Sequence, residues 1–208
     1  MSDLCAEFAQ LGSATVYEAG GRGGYVEADL IHVVPDTSAA GPARTVRCGQ
    51  DDNLMVHAVM AQAQPGEVLV LTMPEPRPVA LVGELLATQA KARQAAAILV
   101  DAAVRDVEEL RRLGLPVWAR WVRVKGAGKD MAGAIGEAVV VGGAVIRQGD
   151  IVVLDADGVA VVEPDRAEEV LAAARERADK ERAKRAKLEQ GALSFELDGL
   201  DEKLRTSR

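Results

Sequence analysis

The chain has 208 residues, of which 49% are hydrophobic and only 3% aromatic, and its formal net charge is −7. A chain of this length can bury one substantial core, built here mainly from aliphatic side chains. The negative charge argues against nonspecific binding to DNA or RNA. We expect no export signal, because the first 20 residues lack a basic segment followed by an apolar run. We also expect no contact with a membrane, because no apolar run approaches the ~20 residues that span a bilayer.

The cysteines and histidines give no sign of zinc or of disulfides. The chain has two of each, and the cysteines, Cys5 and Cys48, are too few for a disulfide framework. No C-x-x-C pair or histidine cluster provides the ligands of a zinc site. The sequence therefore indicates a protein of the reducing cytoplasm.

Helix and strand patterns alternate over the first 120 residues. We predict a short helix in the first segment, before a second helix at 13–19 that Ser13 caps. Further helices are predicted at about 53–63, capped by Asp52 or a nearby residue, at 84–93 and at 107–113. We predict strands at residues 41–48, 68–71, 81–82 and 97–100, and a further strand from 116. The glycine-rich run at 20–24 is expected to be a flexible turn. This alternation favours an α/β domain.

The last third of the chain has a different pattern. Within residues 137–164 we predict three short strands joined by glycine-containing turns, which favours antiparallel or mixed pairing. Residues 164 to about 190 form one long charged helix with a weak apolar stripe at Leu171, Ala174, Ala178 and Leu188. That stripe passes through Glu181 and Arg185. These charges are either solvated, if the helix extends away from the body, or they contact a partner.

Two predicted strand–helix junctions could form a binding site. Arg105 and Asp106 follow the strand at 97–100, and a guanidinium beside a carboxylate suits an oxo acid bound with a divalent cation. Gly83 and Glu84 open a helix directly after a strand, where free backbone N–H groups attract anions. Each junction also has a purely structural interpretation. Arg105 and Asp106 could be an exposed ion pair with Asp106 as a helix N-cap, and Glu84 could simply stabilise the first turn.

Several longer segments resemble one known family. The segments are "DNLMVHAVMAQAQPGEVLVL", "GELLATQAKARQAAAILVDAAVRDVEELRRLGLPVWAR", "GGAVIRQGDIVVLDADGVAVV" and "KRAKLEQGALSFELDGLDEKL". They resemble the 4-hydroxy-4-methyl-2-oxoglutarate and 4-carboxy-4-hydroxy-2-oxoadipate aldolases, a family that includes proteins similar to the regulator of ribonuclease E activity A (RraA). The resemblance runs from about residue 11 to 204. It implies a single layered β/β/α domain of the swivelling, RraA-like type, with a long C-terminal helix.

The resemblance also implies an activity and a set of site residues. The activity is that of a class II aldolase, a carbon–carbon lyase dependent on Mg²⁺ or Mn²⁺, which cleaves a 4-hydroxy-2-oxo diacid and releases pyruvate in the degradation of aromatic compounds. Such an enzyme also decarboxylates oxaloacetate. By position, Asp106 would be the metal ligand and Arg105 would bind the pyruvyl oxygens. Gly83, Glu84, Leu85 and Leu86 would bind the substrate, with the amides of Leu85 and Leu86 on its carboxylate. Glu84 would hold a water molecule that is bound to the metal. Glu181 of a neighbouring subunit would be a second acid that holds this water, with Glu176 as the alternative to Glu181.

The implied organisation is a catalytic α/β domain at residues 1–163, and a helix and tail at 164–208 that pack on the same or a neighbouring subunit. The family builds its sites between subunits, so a homotrimer or a homohexamer is expected. Two positions depart from the family pattern. The family usually has a glycine at the position of Ala102 or of Ala103, and Glu84 replaces a commoner aspartate. The competing hypotheses are a non-catalytic RraA-like binding protein and a decarboxylase or lyase acting on another 2-oxo acid.

Overall fold

The computed structural model describes residues 2–206. Its helices are α1 (Ser2–Leu11), α2 (Ser13–Ala19), α3 (Leu54–Val59), α4 (Glu84–Ala92), α5 (Val107–Leu113), α6 (Ala167–Glu189), α7 (Ser194–Leu197) and α8 (Leu200–Thr206). Its strands are β1 (Ile31–His32), β2 (Ala39–Arg47), β3 (Val68–Thr72), β4 (Ala80–Val82), β5 (Ala97–Val104), β6 (Val117–Val122), β7 (Ala134–Ile135), β8 (Val139–Val141), β9 (Ala144–Ile146), β10 (Ile151–Asp155) and β11 (Gly158–Val162). A short 3-10 helix, Pro164–Arg166, precedes α6.

Nine of the strands in residues 2–206 form one mixed sheet. Its main path runs β1-β6-β5-β3-β2-β10-β11, with β4 paired to β5 and β7 to β2. The centre is parallel, because β2, β3, β5 and β6 pair in one direction. Strands β10 and β11 add an antiparallel edge, and β8 and β9 form a separate hairpin. The predicted α/β class and its antiparallel second part are confirmed.

Three apolar clusters separate the layers of the fold. Along β5, Ile98 and Val100 face the cluster that α3, α4 and α5 cover, whereas Ala97 and Leu99 face the cluster beneath the β8–β9 hairpin. This alternation follows from the two-residue period of a strand. A third cluster packs α1, α2 and the first turns of α6 on β10 and β11. Together these layers confirm the predicted β/β/α arrangement with a long C-terminal helix.

Four details differ from the predictions. Strand β5 continues to Val104 instead of ending at residue 100, and α3 ends at Val59 rather than at about 63. The region predicted to hold three strands contains four, because Gly142 and Gly143 form the turn of a separate hairpin. Ser13 does not cap α2. It lies inside the helix, and its N–H and Oγ both donate to the Asp155 carboxylate, at 2.6 Å each.

Helix α6 is anchored at its amino-terminal end only. Ala167, Val170, Leu171 and Ala174 are buried there, whereas Leu188 near the other end is exposed. The predicted stripe therefore serves as a packing face only up to Ala174. No helix in residues 2–206 is both long enough and apolar enough to cross a membrane.

Candidate active-site cleft

The two strand–helix junctions singled out in the sequence are adjacent in space. Strand β4 lies parallel to the second half of β5, with Val82 opposite Val104. The Arg105 N–H donates to the Val82 carbonyl at 3.0 Å, just beyond that pairing. Parallel neighbours end at the same edge of a sheet, so the start of α4 and the Arg105–Asp106 pair meet there.

Asp106 is turned towards α4 and not towards its own helix. It holds the N-cap position of α5 in a left-handed conformation, φ 60° and ψ 45°, yet its side chain makes no cap hydrogen bond. Instead, Asp106 Oδ2 accepts a hydrogen bond from the Glu84 N–H at 3.1 Å and lies 3.7 Å from Arg105 Nε. The N-cap interpretation therefore holds for the backbone position of Asp106 and not for its carboxylate.

Two glycines leave room for these side chains. A Cβ atom on Gly83 would lie 2.4 Å from Asp106 Oδ2 and 3.2 Å from Arg105 Nε. A Cβ atom on Gly126 would lie 2.8 Å from Arg105 Nη1. Any larger residue at either position would displace the guanidinium or the carboxylate. The close approach of backbone to side chain explains why glycine stands at both places.

The amino end of α4 offers free donors beside the Arg105–Asp106 pair. The first bond within the helix runs from the Ala87 N–H to the Gly83 carbonyl, at 3.1 Å. The N–H groups of Leu85 and Leu86 precede that bond and have no acceptor within the helix. Together with the helix dipole they favour an anion at this point.

A cleft of about 540 Å³ connects these elements to a second wall. Its lining residues are Asn53, His57, Ala80, Leu81, Gly83, Glu84, Leu85, Leu86, Arg105, Asp106, Glu109, Ala127 and Lys129. The sequence did not indicate Asn53 or Lys129 as site residues. His57, in α3, is exposed and also borders the cleft. The cleft is therefore lined by three polar side chains, those of Asn53, His57 and Lys129, that lie outside the two strand–helix junctions.

A buried carboxylate holds the second wall in place. Asp52 accepts hydrogen bonds from the N–H groups of Leu54, Asp130 and Met131, at 2.8, 2.6 and 3.1 Å. Burial acts to raise the pKa of Asp52, but these three donors and the nearby Lys129 charge outweigh it and hold the pKa below its usual value. The ionised side chain fixes the loop that carries Lys129.

A bulge in β5 precedes the Arg105–Asp106 pair. Val100 pairs with Ala119 and Ala103 with Trp121, so Asp101 and Ala102 together lie opposite the single residue Arg120. Such a bulge turns the strand and re-aims the residues that follow. The buried Asp101 carboxylate forms an ion pair with Arg120 across it. Burial raises the pKa of Asp101 despite this partner.

Glu181 does not reach the cleft of its own chain. Its carboxylate accepts from Arg177, one helical turn earlier, at 2.9 Å, and it borders a surface groove on α6 together with Glu176 and Lys180. Glu176 pairs with Lys180 at 2.5 Å. Of the predicted site residues, Gly83, Glu84, Leu85, Leu86, Arg105 and Asp106 share one cleft, whereas Glu181 stands apart from them.

The donor chemistry of the cleft fits a hydrated divalent cation. Asp106 contributes a carboxylate, the hard oxygen ligand that Mg²⁺ and Mn²⁺ accept, and Mg²⁺ is often held by one or two carboxylates with water and substrate completing its shell. In the part of the chain that the structure describes, no three His, Cys, Asp or Glu residues are grouped closely enough to enclose a metal ion. A cation here would therefore depend on Asp106, water and substrate.

The layered fold and this cleft define a class of small α/β proteins with an Arg–Asp pair beside a helix amino end. A profile of the aldolase/RraA family, RraA-like, matches residues 2–161. The chain therefore belongs to that family, as its resemblance indicated. A protein of Halalkalibacterium halodurans provisionally named 4-hydroxy-4-methyl-2-oxoglutarate aldolase is 37% identical over 147 residues, which are 70% of each chain.

Solved structures confirm the fold. RraAS2 of Streptomyces coelicolor, described as an unusual member of the RNase ES inhibitor RraA family, superposes with a TM-score of 0.79 at 27% identity, over 89% of this chain and 96% of that one. An uncharacterized protein of Pseudomonas syringae pv. tomato superposes with a TM-score of 0.84 at 23% identity, over 93% and 91% of the two chains. The second similarity concerns the fold alone.

Proposed function

We propose that the protein is a divalent-metal-dependent aldolase that cleaves a 4-hydroxy-2-oxo diacid and releases pyruvate. The main observation that supports this proposal is that Asp106, Arg105 and the amino end of α4 meet in one cleft. The 37% identical relative with an aldolase name supports the same reaction class. Oxaloacetate decarboxylation passes through the same enolate of pyruvate, so we propose it as a second activity of the site.

Each element of the cleft has a role in this proposal. Asp106 would hold Mg²⁺ or Mn²⁺, which when bound supplies a Lewis acid for the 2-oxo acid. The N–H groups of Leu85 and Leu86 would bind the substrate carboxylate. The Arg105 fork would bind the pyruvyl oxygens, where negative charge develops in the transition state. The Asp106 carboxylate beside the uncapped amino end of α4 supports these assignments.

Cleavage requires a proton to leave the C4 hydroxyl. As it leaves, the C4 carbonyl forms, the C3–C4 bond breaks and its electron pair enters the enolate, which is then protonated at C3. Glu84, in the first turn of α4, would orient the water that accepts the hydroxyl proton, with Glu181 of a neighbouring copy assisting. The metal-assisted route requires no lysine, so Lys129, which borders the cleft outside the Arg105–Asp106 motif, has no Schiff-base role in this proposal.

The proposed working unit is a homotrimer, or two trimers stacked into a hexamer. Leu85 at the cleft is 74% exposed and Val124, in the loop after β6, is 92% exposed. Exposed large apolar side chains beside a cleft support contact with another copy. We further propose that residues 1–163 form the catalytic domain of a protein of the cytoplasm. The helix and tail at 164–208 would pack on the same subunit through the first turns of α6, and on the same or a neighbouring subunit beyond Ala174.

Release of pyruvate, coupled to lactate dehydrogenase, tests the proposed activity. The substrates are oxaloacetate, 4-hydroxy-4-methyl-2-oxoglutarate and 4-carboxy-4-hydroxy-2-oxoadipate, each assayed with Mg²⁺ and with EDTA. We expect release in Mg²⁺ and its loss in EDTA. Undiminished release in EDTA would refute the role of the metal, and failure to turn over any of the three acids would refute the aldolase.

The alternative is a non-catalytic binding protein. It is favoured by the 27% identity to RraAS2, whose description places it in a family of RNase ES inhibitors. An inhibitor that binds through its surface does not require Asp106, Arg105 and a free helix end to meet in a cleft. A decarboxylase or lyase acting on another 2-oxo acid would use the same residues, and it would be identified by pyruvate release from oxaloacetate alone.

A further inference from the structure

Asn53 is a buried polar residue in the wall of the cleft that faces α4. It precedes α3, is 8% exposed and borders the same cleft as Arg105 and Asp106. Its backbone N–H donates to the Gly128 carbonyl at 2.9 Å, next to Lys129 in the chain. Asn53 and Lys129 therefore belong to one fixed corner of the site.

The orientation of the Asn53 amide follows from its partner. Asn53 Nδ2 donates to the Leu81 carbonyl at 2.9 Å, and a carbonyl can only accept. The nitrogen must point there, which leaves Oδ1 as the free atom. Among residues 2–206, Oδ1 has no hydrogen-bond partner and almost no contact with solvent. A buried acceptor without a donor is unfavourable, so a donor is expected to come from a ligand in the cleft that Asn53 borders.

We propose that Asn53 Oδ1 accepts a hydrogen bond from the C4 hydroxyl when the substrate first binds, before that hydroxyl turns to the water that takes its proton, so that Asn53 selects hydroxylated 2-oxo diacids at the binding step. The inference rests on the proposed function, which places one carboxylate at the amino end of α4. The distal carboxylate is then attracted to the Lys129 ammonium. The hydroxyl is on the carbon that bears this carboxylate, which brings it to Asn53.

Selection follows from the cost of an unsatisfied group. A diacid without the hydroxyl leaves Oδ1 unpaired and buried under the ligand, whereas the hydroxylated acid satisfies it. Sites that contain a buried polar group reject analogues that lack its partner. Aldol cleavage uses the hydroxyl and oxaloacetate decarboxylation does not, so loss of Oδ1 affects the two reactions differently.

The test compares two variants and two five-carbon acids. For wild type, Asn53→Ala and Asn53→Asp, kcat and KM are measured for 4-hydroxy-2-oxoglutarate and for oxaloacetate. The inhibition constant of 2-oxoglutarate, which lacks the hydroxyl, is measured against oxaloacetate. Asn53→Ala should lower kcat/KM for 4-hydroxy-2-oxoglutarate about tenfold or more. It should change kcat/KM for oxaloacetate and the inhibition constant of 2-oxoglutarate less than about threefold. Asn53→Asp keeps an acceptor and should retain the preference, even if both acids bind less tightly.

If Asn53→Ala weakens kcat/KM for both substrates and the binding of 2-oxoglutarate equally, the proposal is overturned. That result would indicate that Asn53 acts only through its hydrogen bond to the Leu81 carbonyl. No loss at all would overturn it too. If the variants do not fold, the affinities of the wild-type protein test the proposal. The wild type must bind 4-hydroxy-2-oxoglutarate about tenfold or more tightly than 2-oxoglutarate. If the wild type turns over neither substrate, the proposed function fails. Titration calorimetry of the same two acids then tests hydroxyl recognition separately.

Discussion

The Asp106 carboxylate accepts a hydrogen bond from the backbone N–H of Glu84, and this contact joins the start of α5 to the start of α4. Two segments separated by 22 positions are thereby fixed against each other at the edge of the parallel sheet. Asp106 adopts a left-handed backbone conformation to make this contact. Backbone outliers of this kind tend to occur at functional sites, where the surrounding structure maintains them.

Replacing Arg105 or Asp106 should abolish activity and leave the fold intact. Both side chains are about half exposed, and their 3.7 Å contact contributes little to stability. We expect Arg105→Lys and Asp106→Asn to lower kcat at least about 100-fold, since lysine lacks the planar fork and asparagine lacks the charge. The checks are pyruvate release and the thermal unfolding midpoint. Arg112→Lys, in the exposed pair with Glu109 on α5, is the matched control and should behave as wild type.

Replacing Gly83 by alanine should damage the site by sterics alone. Gly83 has φ −134°, a conformation open to alanine, but the added Cβ would lie 2.4 Å from Asp106 Oδ2. The carboxylate must move, so we expect weaker Mg²⁺ activation and lower kcat. Gly23→Ala is the control, because its nearest neighbouring atom would be 4.0 Å away. If the two variants have the same dependence on Mg²⁺, the close packing at Gly83 is not important for the metal.

Asp52 should stabilise the protein in a pH-dependent way. Its pKa in the folded state lies below the unfolded value, so its contribution is fully present above the unfolded pKa, near 4, and is lost as the pH falls through the folded pKa. Asp52→Asn should lower the free energy of unfolding at pH 7 and flatten its decline below about pH 4. Denaturant unfolding across this range measures both effects. An unchanged acid decline in the variant would contradict the assignment.

Mixing two inactive variants should restore activity if sites are shared between subunits. Glu181 lies outside the cleft of its own chain, so any role in the proposed reaction must be in a neighbouring copy. Arg105→Ala and Glu181→Ala are expected to be inactive or severely impaired alone. Subunits mixed and reassembled should form some sites with both residues intact and regain activity.

The position of the second acid is also open to test. Glu176→Ala serves as the comparison, since Glu176 precedes Glu181 by five residues on α6 and pairs with Lys180. If Glu176→Ala is impaired and Glu181→Ala is not, the second acid is Glu176. Full activity of both variants would contradict any role for α6 in the site.

The sequence predicted those parts of the site that follow from local order. Alternating strands and helices placed Gly83–Leu86 and Arg105–Asp106 at neighbouring junctions, and the structure brings them together. Asn53 and Lys129 could not be found in this way. They are 76 positions apart, and their proximity depends on the loop bonds that Asp52 and Gly128 make. The bulge at Asp101 was also missed, because it depends on pairing with β6 and not on any periodicity within β5.

Manganese binding followed by electron paramagnetic resonance tests the central claim most directly, namely that the Asp106 carboxylate holds the cation that serves the enolate. Mn²⁺ is titrated into wild type and Asp106→Asn, with and without oxalate, a planar dianion that mimics the enolate of pyruvate. We predict that wild type binds Mn²⁺, that oxalate tightens this binding and changes the spectrum, and that Asp106→Asn loses both effects while remaining folded. Equal Mn²⁺ affinity and an equal response to oxalate in the two proteins would contradict the account.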